Sequence, residues 1–424
     1  MTEFTFKTII RNATQIVTVC ENNEKFLTGN KMDAITIQKN SSLIINKKGL
    51  IEFIGKDSEI NEKYPKVTFE NEIDAKGRSI IPGFIDSHTH PVWSGDRTFE
   101  FALKLKGATY MQIHKQGGGI GFSVKNTQQS TEEELVDLLI PRLDRMVKTG
   151  TTLVEAKSGY GLETETEIRM LKVIEQAKKK HPIGILSTYL VHSVPKNKTS
   201  DEYTKEVLEE QMVEVIKSKK NGEISPEYID IFCETGVFDY EQSKKIMELG
   251  ASNGLIPNFH GDELTNMKSP NLAREVGAIA ISHLEKVNEE GIQILAETKT
   301  AAVVLPTTAY ILRLEQAPVR KMIQENVPVA IATDYNPNAP CTSMPLTMHM
   351  ACVSCRMTMN EALVASTINA AYSLRKHEKY GSLEVGKFAD LVIVDSEVWE
   401  HIIYQLGEHP IWKVIKAGNV IFEK

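Results

Sequence analysis

The stretch SIIPGFIDSHTH, residues 79–90, is an apolar run that ends on two histidines one residue apart, His88 and His90. Side chains alternate along an extended segment with a period of two, so both imidazoles project from the same face. Neutral imidazole suits zinc, iron and nickel, and two rings on one face can share a cation. Seven further runs of similar character follow, at residues 151–161, 183–193, 228–236, 255–263, 278–286, 301–309 and 327–337. Between them lie amphipathic stretches with apolar residues at three-to-four spacing, among them TEEELVDLLIPRLDRMVKTG (131–150) and TETEIRMLKVIEQAKKKH (164–181). Strands alternating with helices eight times over predict an α/β chain built as a (β/α)8 TIM-type barrel, placed at residues 83–376.

In such barrels the chemistry sits at the C-terminal ends of several strands. Five of the eight runs end in a metal ligand or acid–base residue: His88 and His90, His192, His260 with Glu263, His283, and Asp334. One histidine at a strand end is more often a hydrogen-bonded core residue than a ligand. Repetition around a single rim is what points to a site.

The ends of the chain read differently. Before residue 82, segments such as ITIQ, SLIIN and GLIEFIG mix β-branched and polar residues with Asn and Gly punctuation and no helical period. The style returns in GSLEVGKFADLVIVD (381–395) and HPIWKVIKAGNVIFEK (409–424). A small β-sandwich assembled from residues 1–82 and 377–424 is expected.

Composition narrows the function classes. A chain of 424 residues with 41% hydrophobic and 25% charged residues supports a large folded core rather than disorder. A net charge of -7 gives no basic footprint for nucleic acid. No apolar run approaches a membrane span, and the N-terminal text lacks a signal-peptide layout. Five scattered cysteines suit a reducing compartment, with cytoplasm as the default and Cys352 and Cys355 as free thiols rather than a zinc knuckle.

PGFIDSHTH followed by the later His, His and Asp resembles the amidohydrolase superfamily, and GSLEVGKFADLVIVD is similar to its return to the small β-domain. Within it the text is closest to the imidazolonepropionase family. That resemblance runs through FALKLKGATYMQIHKQGGGI (101–120), RLDRMVKTGTTLVEAKSGYGL (142–162), STYLVHSVP (187–195), DIFCETGVF (230–238), HGDEL (260–264), VPVAIATDYNP (327–337), TINAAYSL (367–374) and HPIWKVIK (409–416). It implies hydrolysis of the small molecule 4-imidazolone-5-propanoate and a homodimer. It further implies that His88, His90, His260 and Asp334 hold one divalent metal, Zn2+ or Fe2+. Three imidazoles and a carboxylate with one position left for water fit either ion.

Dinuclear relatives bridge two metals through a carboxylated lysine on the fourth strand. YIDIFCETG (228–236) has none, and Lys157 is the only nearby alternative, so one metal is expected. A catalytic metal lowers the pKa of water from about 15.7 toward 7. Glu263 could take the water's proton, with Asp334 sharing that role. The resemblance places His283 to steady the oxyanion.

Arg97, Tyr160 and His192 match the family's substrate contacts, Arg97 through its planar fork on a carboxylate. Asn336, Asn338 and Ala339 stand where many members read Asn, Gly and Ser or Thr; Asn at 338 preserves a left-handed turn, and Ala339 offers only backbone. GGGIGF (117–122) follows no strand and is expected to form a mobile lid or active-site loop. Rival readings are a deaminase using the same four ligands and a non-enzymatic scaffold. The first would release ammonia; the second would purify without metal.

Overall fold

The computed structural model describes residues 5–107 and 118–424, so residues 108–117 of the GATYMQI motif, Gly117 of the glycine run included, lie outside the described residues. In chain order the strands are β1 (Thr5–Val19), β2 (Thr36–Ile45), β3 (Ile51–Gly55), β4 (Thr68–Asp74) and β5 (Ser79–Pro82). Next come β6 (Phe84–Thr89), β7 (Thr151–Lys157), β8 (Gly184–Val191), β9 (Tyr228–Cys233) and β10 (Ile256–Gly261). The last are β11 (Ala280–His283), β12 (Ala301–Val304), β13 (Val329–Ile331), β14 (Leu391–Val394), β15 (Ile411–Lys416) and β16 (Asn419–Glu423).

β6 to β13 pair in sequence order, each neighbour parallel, with helices between them. The ring closes where Thr89 bridges Tyr335 in parallel and His90 N donates to Tyr335 O at 2.8 Å. All eight apolar runs are therefore barrel strands. Strands covered by helices outside and packed against one another inside are buried on both faces, which is why they read as continuous apolar text rather than alternating text. The exceptions are the buried polar residues Asp86, Glu155, Lys157 and Asp230.

The two termini build the other sheet, in the order β16-β15-β14-β5-β1-β2-β3, with β4 beside β1. Ile51 N donates to Lys387 O and Ala389 N to Gly49 O, both at 2.9 Å, tying the β2–β3 hairpin to the segment before β14. The sheet thus curls around a core that includes Ile10, Ile16, Leu43, Ile80, Leu391 and Ile415. The chain passes from this sheet into the barrel at Gly83. A Cβ there would sit 2.4 Å from Thr152 Cγ2, so only glycine fits the crossing. Among the described residues no helix is long and apolar enough to cross a membrane.

The helix Glu132–Lys148 begins with a capping box between Thr131 and Glu134 and buries Arg142 on its inner face. The Arg142 guanidinium lies 3.6 Å over the Trp93 ring and donates to Pro91 O at 2.7 Å and Trp93 O at 2.9 Å. These contacts fix the backbone just beyond His90. Arg142→Met keeps the apolar stem but leaves both carbonyls without their donor, and should destabilise the fold by about 2–4 kcal/mol. Urea unfolding checks this, and an unchanged midpoint would mean that water replaces the guanidinium.

Candidate metal centre and active site

His88 and His90 leave the end of β6 on one face, and His90 Nε2 lies 3.3 Å from His88 Nε2. His260, at the end of β10, brings its Nε2 to 3.3 Å from His90 Nε2. Asp334, just past β13, places Oδ1 at 3.3 Å from His90 Nε2 and 3.6 Å from His88 Nε2. Ring nitrogens this close to one another, and a buried carboxylate oxygen with no hydrogen-bond partner, require something between them. Ligand atoms around a tetrahedral ion with bonds of about 2.1 Å are about 3.4 Å apart. The four side chains therefore fit one divalent cation.

The ring orientations agree. Asp230 Oδ1 accepts from His260 Nδ1 at 2.9 Å and from the His260 backbone N at 3.0 Å, which leaves the Nε2 lone pair facing the centre. His88 Nδ1 is 2.8 Å from Ser282 Oγ, which can accept its proton in the same way. Burial holds His88 well below its usual pKa and His260 at about 4, so both rings are neutral, as ligands must be. Burial disfavours charge on Asp334, but His90, His283 and Thr308 outweigh it and hold the carboxyl far below the usual range.

His283, at the end of β11, forms an alternative cluster with His88 and His260. Its environment marks it as a proton holder instead. Glu263 lies 3.7 Å from Nε2 and Glu285 3.7 Å from Nδ1. Burial opposes the imidazolium, yet the two carboxylates prevail and raise its pKa to about 10. Burial in turn raises Glu263 to about 7, against the pull of His283. His283 and Asp334 both occupy left-handed backbone, φ 80° and 47°, a strain found at functional sites.

These groups face a cavity of about 1030 Å³. Tyr160 and His192 line it beside His90, their rings 5.5 Å apart and 6.0 and 5.6 Å from the His90 ring. The SGYG turn that carries Tyr160 wraps the buried Glu167, which accepts from the backbone N of Gly159, Gly161 and Leu162 at 2.7–2.9 Å. Arg97 also lines the cavity, but its fork is engaged by Glu100, at 2.8 Å from Nε and 2.7 Å from Nη2. Asn336 turns its amide inward to Asp334 O and accepts from the N of Asn338 and Ala339. Asn338 lines the cavity, whereas Ala339 is buried outside its wall. The turn needs no left-handed residue at 338. Gly119 and Ile120 of the glycine run line the cavity, and Gly119 N donates to Glu100 at 2.7 Å.

Lys157 is not free to bridge metals. It is fully buried and ion-paired with Glu155 at 2.7 Å and Asp230 at 2.8 Å. Sequence reading missed Asp230, Glu155, Glu100 and Glu167. A carboxylate inside an apolar strand, as in YIDIFC and TTLVEAK, was the available signal for the first two.

Residues 79–421 match the amidohydrolase family model. The chain is 54% identical to a probable imidazolonepropionase of Dictyostelium discoideum, over 99% of each protein. It is 50% identical to one of Homo sapiens, over 98% of each. The chain belongs to the amidohydrolase family, among the imidazolonepropionases. Solved structures with the same fold include a zinc-bound adenosine deaminase of Xanthomonas campestris, with a TM-score of 0.74, 17% identity, and coverage of 99% of this chain and 93% of that one. An Escherichia coli guanine deaminase gives a TM-score of 0.69 at 16% identity, covering 98% and 99%.

Asp230 carries the orientation of His260, so Asp230→Asn should weaken cation binding roughly 10- to 100-fold. Competition against a chromophoric chelator measures this, and wild-type affinity in the variant would show that the ring is held by packing alone.

Proposed function

We propose that this chain hydrolyses the cyclic amide of 4-imidazolone-5-propanoate to N-formimidoyl-L-glutamate, a step of histidine degradation. In this reading His88, His90, His260 and Asp334 hold one zinc or ferrous ion. The observation that carries it is the convergence of four donors beside a proton-holding His283 and a Glu263 poised near neutrality, in a chain half identical to full-length imidazolonepropionases.

When bound, the cation makes water nucleophilic near neutral pH and polarises the carbonyl. Glu263 accepts the proton that the water loses on attack. His283 donates toward the carbonyl oxygen as charge gathers there, held in place by Glu263 and Glu285. The ring C–N bond then breaks, and the nitrogen leaves with the proton that Glu263 collected. Tyr160 and His192 orient the ring, with Arg97, Asn336 and Asn338 toward its carboxylate arm.

Purified protein carrying one zinc or iron per chain should consume imidazolonepropionate and release no ammonia. Ammonia release from a nucleobase panel, with imidazolonepropionate untouched, would overturn the reading in favour of a deaminase.

As a base, Glu263 works only when ionised, so kcat/KM should rise with pH through a limb at or below about 7, because a cation on His260 favours the carboxylate further. Glu263→Gln should lower kcat by about 10²- to 10⁴-fold and erase that limb. A limb retained in the variant would assign the proton to another group.

A further inference from the structure

The cavity has a charge problem that Arg97 does not solve. Arg97 and the buried Glu100 form a two-bonded ion pair, and Glu100 takes a third bond from Gly119 N. That pair is neutral as a unit, and a substrate carboxylate reaching Arg97 would meet Glu100 as well. Among the described residues, two other cations line the cavity, Arg313 and Lys104. Arg313 is exposed, whereas Lys104 is half-buried with no carboxylate within ion-pair distance among the described residues. Its ammonium donates to Asn338 Oδ1.

Asn338 is tied to the metal-ligand turn. Its backbone N donates to Asn336 Oδ1 at 2.8 Å, and Asn336 Nδ2 donates to Asp334 O at 2.7 Å. The ammonium of Lys104 is thereby linked to the site through three successive contacts ending on Asp334. Asn338 is also the position where the chain departs from the glycine common in the family, and only a side chain there can reach Lys104.

We propose that Lys104, steadied by Asn338, takes the carboxylate of the substrate's acyclic arm and sets the preference for an anionic substrate. This rests on the cyclic-amide reading above, in which the substrate carries one propanoate. Lysine provides a point charge for one carboxylate oxygen, leaving the other for neutral donors. Burial, then the charge of Arg97, depress the Lys104 ammonium below its usual pKa, a cost that an arriving carboxylate reverses.

The test uses the metal-loaded, full-length protein with imidazolonepropionate and its side-chain amide. In Lys104→Met, the preference for carboxylate over amide should fall roughly 10- to 100-fold, chiefly through KM, while Lys104→Arg retains most of it. Metal content and unfolding midpoint, measured on the same preparations, report whether each variant is folded. A Lys104→Met preference equal to that of wild type overturns the proposal. Titration with imidazole-4-propanoate and its amide reads the same preference without turnover. Wild type that binds the anion through Lys104 but hydrolyses nothing would sink the reaction and leave the anion site standing. Wild type that hydrolyses the substrate with no Lys104 dependence would do the reverse.

Discussion

The site depends on a buried ion triad. Lys157, on β7, is fully enclosed and neutralised by Glu155 and Asp230, and Asp230 spends its other oxygen on both the ring and the backbone of His260. Burying a lone charge costs several kcal/mol, so none of the three side chains is stable there without the others. The lysine holds Asp230 ionised, its pKa far below the usual carboxylate range even though burial pushes the other way. An ionised Asp230 can only accept, so the His260 proton stays on Nδ1. One internal charge thus selects the tautomer of a residue on another strand. Thr188, donating to Glu155 at 2.5 Å, extends the arrangement to β8. Adjacent parallel strands make this possible, because β7, β8, β9 and β10 are neighbours in the barrel.

Much of this was legible in the sequence, for a physical reason. A parallel strand covered on both faces must be written in apolar letters, so the eight runs announced themselves, and a polar residue at the end of one stood out. His88, His90, His260, His283 and Asp334 are visible on that ground, and they do converge. The partners that orient them are less visible. Asp230 and Lys157 sit mid-run, and only the register of neighbouring strands brings them within 2.8 Å. Arg97 shows the opposite limit. Its position beside the cavity is as expected, but a glutamate three residues later, one helical turn away, takes its fork. Side-chain competition of that kind is decided by rotamers, which no pattern of letters encodes.

The terminal sheet and the barrel have different relations to the site. The β5–β6 connection runs directly from the sheet through Gly83 into the strand that bears His88 and His90. Lys416, on β15, ion-pairs with the buried Asp390, whose carbonyl accepts from Gly83 N at 2.9 Å. The sheet therefore braces the base of β6, at the end remote from the cation ligands. Conserving the barrel rim while varying distant edges of that sheet would leave this brace intact, which assigns the sheet a stabilising part and the rim the chemistry.

The rim is also held against its own backbone preferences. Asp262, His283, Leu284 and Asp334 all have positive φ, between 47° and 80°, where residues with a Cβ are strained. Strain of this kind persists only if surrounding contacts over-determine it. Asp262 accepts from Met267 N at 2.8 Å and from Ser269 Oγ at 2.7 Å, and its carbonyl accepts from Lys286 N at 2.7 Å. Leu284 N donates to Gly261 O at 3.1 Å. These bonds staple the turn after β10 to the turn after β11, so His260, Glu263 and His283 belong to one braced unit. Relaxing either turn would separate the proton acceptor from the proton donor, which sit 3.7 Å apart. Rigid placement of that pair is what lets a buried glutamate and a buried imidazolium hold opposite protonation states side by side.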